Sequence, residues 1–198
     1  MQVALSQIAI IGWGSLIWDL EILTPHVAGA WQMEAGPLLP MEFSRVSPKR
    51  KLGLVVCLDP EVGVLCQTHI IRSKRRNIHE AIQDLQARER APDGLIGAYH
   101  TDFQHGRMPT VVAQVQNWCE AKGWSGAVWT DLEPNFESHT MRGFSVAECL
   151  QYLKTLRGES LEEAYNYIQN APTQTATPLR AALAKDAWWQ GLGMGQQS

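Results

Sequence analysis

Blocks of apolar residues alternate with short polar breaks over the first two thirds of the chain, and these blocks predict strands. The run Ile8-Ala9-Ile10-Ile11 is too short for a helix and indicates a buried strand. Proline and glycine within residues 59–63 are typical of a turn, so we expect the apolar blocks on its two sides to pair as a hairpin. The predicted strands cover residues 8–11, 38–46, 52–58, 64–71, 95–101 and 126–132.

Helical periodicity and capping residues predict the other elements. A helix over residues 74–90 is expected to begin after Ser73, whose hydroxyl can cap it. A second helix over residues 109–122 is expected to stop at Gly123. We expect Gly158 to end the first of three later helices, which are predicted from the pairs Ser145 with Glu148, Ser160 with Glu163, and Thr177 with Pro178.

The order of these elements, strands first and helices last with helices inserted between the later strands, predicts the α+β class. A chain of 198 residues with 45% hydrophobic content is long enough to bury one core. We therefore expect a single domain over residues 1–198, with a helical C-terminal part over about residues 145–190.

Composition and charge narrow the possible classes of partner. A formal net charge of −3 argues against a dedicated nucleic-acid-binding protein. No apolar stretch reaches the length of a membrane span, so we expect no membrane association. The four cysteines show no close pairing and the histidines are scattered, which favours a reduced, cytoplasmic protein without a metal. The sequence does not indicate an oligomeric state.

The first predicted strand runs into a glycine-rich loop that carries candidate chemistry. Gly12 and Gly14 flank Trp13, and Ser15 follows. Glycines let backbone N–H groups approach a carboxylate or a developing oxyanion. Ile17 stands where a dinucleotide fingerprint or a nucleophile elbow would need glycine, so neither motif is present. A tight turn without a ligand is the alternative interpretation.

The helix after the predicted hairpin carries a carboxylate on its apolar stripe. Ile78, Ile82 and Leu85 are spaced four and three apart, and a further step of four reaches Glu89. Burial disfavours a charged carboxylate, so this position suits a group that exchanges protons. Alternatively, Glu89 extends to solvent at the helix end or pairs with a neighbouring arginine.

These segments resemble the γ-glutamylcyclotransferase-like superfamily, which includes the ChaC-type enzymes. The loop Trp13-Gly14-Ser15-Leu16 is similar to the Tyr-Gly-Ser-Leu loop of that family, with tryptophan in place of tyrosine. Arg88-Glu89 followed by Gly97-Ala98-Tyr99 resembles the family's catalytic region, and Phe43-Ser44-Arg45 resembles a segment before the hairpin. The resemblance covers about residues 8–101. It implies a mixed, partly closed sheet or barrel, with a helix after a central hairpin and additional C-terminal helices.

The resemblance also implies an activity and roles for named residues. Family members convert a small-molecule γ-glutamyl amine or γ-glutamyl amino acid to 5-oxoproline without a cofactor. By this resemblance Glu89 is the general acid–base, and Trp13, Gly14, Ser15 and Leu16 bind substrate. Tyr99 either orients the γ-glutamyl end or is a core aromatic residue.

Several alternatives remain open at this stage. Asp19 competes with Glu89 as the base, although a turn or cap role suits it better, and Arg45 either pairs with a carboxylate or lies solvated at a strand edge. The same fold without catalysis would serve as a small-metabolite-binding or protein-interaction module. A third hypothesis makes Ser15 a hydrolase nucleophile with His26 as its base. The sequence does not identify the leaving amine.

Overall fold

A computed structural model of the protein describes residues 7–194 and has an α+β architecture with a mixed sheet. The strands, in chain order, are β1 (Ile8–Gly12), β2 (Val27–Gln32), β3 (Leu38–Ser47), β4 (Gly53–Leu58), β5 (Val64–Gln67), β6 (His69–Ser73), β7 (Ile96–His100), β8 (Phe103–His105) and β9 (Gly126–Thr130). The α-helices are α1 (Ile78–Glu89), α2 (Pro109–Lys122), α3 (Phe136–Thr140), α4 (Val146–Thr155), α5 (Gly158–Asn170), α6 (Pro178–Leu183) and α7 (Ala187–Met194).

The chain divides into two compact units, each built from two stretches of sequence. The first unit takes the chain up to Leu39 and then Gln67–Leu132, and the second takes Pro40–Cys66 and the chain from Glu133 onward. Each unit is described by itself below. The expectation of a single domain stays a prediction.

The first unit is built on a six-stranded sheet in the order β2-β6-β1-β9-β7-β8. β1 runs parallel to β9 and antiparallel to β6, and β7 runs antiparallel to β9. Because β2 and β8 each have one neighbour, this sheet has two edges and does not close on itself within residues 7–194. The predicted partly closed barrel is therefore not observed there, whereas the α+β class is confirmed.

Helix α1 covers one face of this sheet and joins β6 to β7. It buries a stripe on the sheet, and the shared core takes residues from the strands and from the helix, namely Ile8, Ile10, Ile71, Ile78, Ala81, Leu85, Ile96, Ala98 and Val128. Alternation along a strand sends the intervening residues to the opposite face. That opposite face contacts α2. The predicted stop of this helix at Gly123 is confirmed, since Gly123 is its C-cap and has a left-handed backbone conformation.

The second unit combines a three-stranded sheet with the C-terminal helices. Its strand order is β4-β3-β5, and α5 lies against β4. Phe43 is fully buried and meets the ring of Tyr167 edge to face at 6.4 Å. The C-terminal part of the chain is helical, as predicted.

The predicted hairpin across residues 59–63 is wrong. β4 and β5 are not neighbours, because both pair with β3, which lies between them. The backbone N–H of Asp59 donates to the carbonyl of Pro40, and a Cβ on Gly63 would lie 2.8 Å from the same carbonyl carbon. The turn therefore passes over the start of β3 and leads the chain to its other side. Residues 69–71, predicted as part of the same strand, belong to β6 in the larger sheet.

Three predicted helix boundaries are also wrong. α1 begins at Ile78, where the Asn77 side chain accepts from the N–H of His79, whereas Ser73 instead accepts from the N–H of Arg75 in a turn before the helix. Gly158 begins α5 rather than ending α4, which stops at Thr155. Ser160, predicted to cap the next helix, lies inside α5, whose N-cap position is Arg157. The caps at Ser145 and Thr177 are confirmed, since each side chain accepts from the N–H three residues ahead.

Candidate functional site

The Trp13–Leu16 loop follows directly from the end of β1. Trp13 is extended and buried, and the chain then turns at Gly14, whose φ of +59° lies in the left-handed region that favours glycine. Residues Gly14–Ile17 form one 3₁₀ turn, and Leu16 anchors it in the core. The carbonyl of Ser15 accepts from the N–H of Asp19, and Ser15 itself is half-buried.

The end of α1 supplies the charged groups of the candidate site. The buried stripe of this helix continues from Leu85 to Arg88, whose side chain is only 1% exposed. Glu89 flanks the stripe with its side chain 14% exposed. A step of four from Leu85 predicts Glu89 on the stripe, but the step of three to Arg88 is the one that reaches the core.

Arg88 connects the helix to the glycine loop. Its Nη1 donates to Oε1 of Glu89 at 3.1 Å, and its Nη2 donates to Oγ of Ser15 at 3.4 Å. Nη2 also donates to the carbonyl oxygen of Asp19. A guanidinium has five donors in a fixed plane, so one buried arginine can hold a carboxylate, a hydroxyl and a carbonyl together. Residues 73 positions apart in the sequence thereby meet in one cluster.

This role of Arg88 was not predicted from the sequence, where the residue stands out only as a neighbour that could pair with Glu89. The usable signal was the spacing of three from Leu85, which places an arginine on the buried side of an otherwise apolar stripe. Arginine is rarely fully buried unless it is paired, so this position predicts partners nearby.

Tyr99 is not brought together with the loop or with Glu89. Its neighbour Ala98 lies in the core beneath α1, so Tyr99 points to the opposite face of the sheet. There its hydroxyl donates to Oε1 of Glu120 on α2 at 3.4 Å. Burial, together with the Glu120 carboxylate, raises the pKa of Tyr99 above its ordinary value. This environment agrees with the interpretation of Tyr99 as a core aromatic residue.

The competing residues also have identifiable partners. Oδ1 of Asp19 accepts from the N–H of Glu21, which is a local turn contact. His26 lies beside the ion pair of Arg75 and Asp84, with its Nδ1 3.6 Å from the Asp84 carboxylate. Arg45 belongs to the second unit, where its guanidinium donates to the carbonyl of Glu133.

Other site chemistries have few candidates in the described part of the chain. Over residues 7–194, His, Cys, Asp and Glu form no group of three that could hold a metal ion. All four cysteines are buried free thiols, and burial raises the pKa of Cys119 to about 12. None of the helices in the same range combines the length and the apolar character needed to cross a bilayer.

Comparisons with known proteins do not assign this chain to a family. No family model matches the sequence, and neither the curated proteins nor the solved structures gave a match.

Proposed function

We propose that this protein is a γ-glutamylcyclotransferase-like enzyme, which converts a γ-glutamyl amine or γ-glutamyl amino acid to 5-oxoproline and releases the amine. We propose that its fold is of that family's type as well. The resemblance of the loop and of the Arg88-Glu89 segment to this family motivates the proposal. One observation carries it: Arg88 hydrogen-bonds both the Glu89 carboxylate and the Ser15 hydroxyl, so the two family-like segments meet.

The proposed reaction needs one base and one oxyanion site. The free α-amine of the γ-glutamyl group attacks its own γ-carbonyl carbon, forming the ring C–N bond. The nucleophile is already part of the substrate, so holding the chain in a folded conformation supplies much of the rate. Expulsion of the attached nitrogen then breaks the original C–N bond and leaves 5-oxoproline.

Glu89 is suited to moving the proton that this reaction transfers. Its carboxylate takes a proton from the attacking amine and returns it to the departing nitrogen, so the enzyme ends in its starting form. The ion pair with Arg88 orients this carboxylate, and its partial exposure leaves it within reach of a ligand. Such general acid–base catalysis contributes on the order of 10² to 10⁴ in rate.

The glycine loop is suited to the charge that develops on the carbonyl oxygen. Gly14 has no Cβ, so the loop backbone can lie close to a ligand, and Trp13 and Leu16 hold the loop in the core. If backbone amides do this work, tryptophan at position 13 is compatible with it. We assign Trp13, Gly14, Ser15 and Leu16 to substrate binding on this ground.

The decisive experiment measures 5-oxoproline released from a panel of γ-glutamyl compounds by wild-type protein and by Glu89→Gln. We expect release by the wild type and a loss of at least about 10²-fold in the variant. Glu80→Gln is the matched control, because this glutamate is exposed on the same helix. Circular dichroism and thermal melting establish that all three proteins are folded.

Each result has a definite meaning. Equal release by wild type and Glu89→Gln removes Glu89 as the base and makes Asp19 the next residue to replace. Absence of product from folded wild-type protein across a broad panel contradicts the proposed activity. The alternative is then a non-catalytic module that binds a small metabolite or a protein. Loss of a hydrolytic activity specifically in Ser15→Ala would instead support the serine hydrolase hypothesis.

A further inference from the structure

Three buried polar groups on the α1 side of the larger sheet have no hydrogen-bond partner among residues 7–194. They are Nε2 of His69, Oγ1 of Thr130 and Nε1 of Trp31. Buried polar groups in folded proteins are nearly always hydrogen-bonded, because leaving one unpaired costs free energy. A cluster of such groups therefore calls for an explanation.

The strand register brings these residues to one end of the sheet. Gly12, the last residue of β1, pairs with His69 on β6. On the other side of β1, Ile11 pairs with Trp129, so Thr130 follows beside Gly12. His69 and Thr130 thus flank the residue from which the Trp13–Leu16 loop begins. Ser15 is three residues from Gly12, within a reach of roughly 10 Å along the chain.

All three side chains lie on the face of the sheet that α1 covers. Ile71 and Val128 belong to the core beneath α1, and the register is regular from each of them to His69 and Thr130. Side chains two residues apart on a strand share a face. The benzene edge of the Trp31 ring lies directly over Gly12, because a Cβ there would be 2.3 Å from Cη2 and 2.7 Å from Cζ3 of that ring.

The ring of His69 is arranged as a hydrogen-bond donor. It is fully buried, and its Nδ1 accepts from the N–H of Glu34 at 2.9 Å. A neutral imidazole that accepts at Nδ1 carries its proton on Nε2. Burial lowers the pKa of His69 below its ordinary value, which keeps the ring neutral. All three unpartnered groups can therefore offer a proton to the same kind of ligand atom.

We propose that His69, Thr130 and Trp31 form a donor pocket for the α-carboxylate of the γ-glutamyl substrate. This inference rests on the proposed function and adds to it the group that the pocket recognises. An ionised carboxylate only accepts hydrogen bonds and has two oxygens, which complements a set of neutral donors. The loop amides are then left for the γ-carbonyl oxygen.

A second unpartnered tryptophan shows why the cluster matters more than any one group. Nε1 of Trp129 is also buried without a partner in the described residues, but it lies on the other face of the sheet, against Gly97. The buried stripe of α1 lies on the opposite face, and Leu16 of the glycine loop packs there as well. We include no ligand role for Trp129.

The test compares two ligands that differ by one carboxylate. Dissociation constants are measured for 5-oxoproline and for 2-pyrrolidinone, the same lactam ring without the carboxylate. The variants are His69→Asn, whose side-chain oxygen can still accept from Glu34 but which lacks Nε2–H, and Thr130→Val, which lacks the hydroxyl. His100→Asn is the control, since His100 pairs with Gly126 at the opposite end of the same sheet.

We expect each variant to bind 5-oxoproline about 10-fold more weakly, the usual effect of losing one hydrogen bond to a charged group. Binding of 2-pyrrolidinone and the behaviour of His100→Asn should not change. Thr130→Val should also raise the melting temperature of the free protein by about 2 °C, because it removes an unpaired buried hydroxyl. A purely structural Thr130 would not combine higher stability with weaker binding.

Contrary results are equally specific. Equal weakening of both ligands, no weakening of either, or a wild-type protein that does not prefer 5-oxoproline overturns the pocket. Release of 5-oxoproline by wild type in that case leaves the proposed function standing. Conversely, a carboxylate preference that both variants lose supports the pocket even if no γ-glutamyl compound is turned over. The two proposals therefore fail separately.

Discussion

One pair of residues with buried polar groups in each compact unit illustrates two ways in which such groups occur in this protein. In the second unit the buried Glu42 carboxylate accepts from the N–H groups of Phe43 and Leu179. Asp59, also buried there, accepts from the hydroxyl of Ser44 and from two backbone N–H groups of the following turn. In the first unit, by contrast, His69 and Thr130 each keep a buried polar atom without a partner inside the described residues.

The second unit also holds buried polar atoms without a partner in residues 7–194, namely Oγ1 of Thr175 and Nη2 of Arg50. What distinguishes His69 and Thr130 is therefore their position beside Gly12, where the glycine loop begins. Glu42 stabilises the start of α6 and Asp59 shapes the turn before β5, so their hydrogen-bonding capacity is used locally. The unpartnered polar atoms of His69 and Thr130 beside Gly12 have lost their hydration without gaining a hydrogen bond. Natural proteins tolerate this cost in free energy mainly at functional sites. The groups around Arg88 are an intermediate case. They are hydrogen-bonded to one another, but they come from segments that are far apart in the sequence.

The largest expected effect is at Arg88. Arg88→Met should lower the free energy of unfolding by about 3 kcal/mol, because it leaves the partly buried Glu89 carboxylate without its counterion. It should also reduce 5-oxoproline release on the order of 10²-fold, because Glu89 and Ser15 lose their common anchor. Urea unfolding and the release assay measure the two effects. Arg76→Met, at an exposed position before α1, is the control. If Arg88→Met loses stability but keeps its activity, the role of Arg88 is purely structural.

Gly12 and Gly97 each lie against a tryptophan ring, on opposite faces of the larger sheet, so replacing each one tests which face carries the candidate site. A Cβ at Gly12 would lie 2.3 Å from the Trp31 ring, and a Cβ at Gly97 would lie 2.0 Å from the Trp129 ring. Gly12→Ala and Gly97→Ala should each lower the free energy of unfolding by about 2 kcal/mol through overpacking. Only Gly12→Ala should raise KM as well, since it displaces Trp31 beside the glycine loop. A comparable rise in KM for Gly97→Ala would contradict the assignment of the site to one face.

The pH dependence of the free energy of unfolding tests the role of the buried Glu42 carboxyl in the second unit. Burial raises the pKa of the Glu42 carboxyl above its ordinary value of 4.5, against the opposing hydrogen bonds from Thr177, Phe43 and Leu179. A raised pKa in the folded state means that protonation favours folding. The contribution is therefore fully present below pH 4.5 and is lost as the pH rises through the folded-state pKa.

Glu42→Gln removes the titrating carboxyl and replaces one of its two accepting oxygens with an NH₂ group, which faces a backbone N–H. This should lower the free energy of unfolding by about 1 kcal/mol. The stability of wild type relative to the variant should consequently be greater at pH 4.5 than at pH 7.5, as measured by urea unfolding at both values. Activity per folded molecule should stay unchanged. A stability difference that grows with pH would reverse the assigned direction of the pKa shift.

The smallest effect is expected at Tyr99. Tyr99→Phe removes one long hydrogen bond to Glu120 and should change the free energy of unfolding by less than about 1 kcal/mol. Because the hydroxyl lies on the α2 face, we expect KM for the γ-glutamyl substrate to change by less than about twofold. A tenfold rise in KM for Tyr99→Phe without a change in stability would instead support the role in orienting the γ-glutamyl end that the family resemblance implies.

Elements with strong local signals were predictable, whereas strand pairing was not. The range 109–122 coincides with α2, because proline begins it and Gly123, at a φ of +75°, ends it. The turn at residues 59–63 was predicted from equally good turn residues, yet its flanking strands pair with β3 instead of with each other. Turn chemistry specifies where the chain reverses, and packing over the whole unit selects the neighbouring strand.

The candidate site shows the same division. The sequence singled out the Trp13–Leu16 loop and Glu89, from glycine spacing, helical periodicity and a family resemblance. It did not single out His69 or Thr130, because neither residue lies in a motif. Their relation to Gly12 exists only through the register of β6 and β9 on β1.

The amino-acid sequence by itself determined the α+β class, most element positions and the loop that begins after β1. Those properties follow from interactions between residues close in the chain, such as periodicity, caps and glycine turns. Only the tertiary structure decided that Arg88 rather than Glu89 enters the core, that Tyr99 faces away from the loop, and that His69 and Thr130 flank Gly12. These depend on strand order and register, which arise from contacts between distant segments that no local pattern encodes.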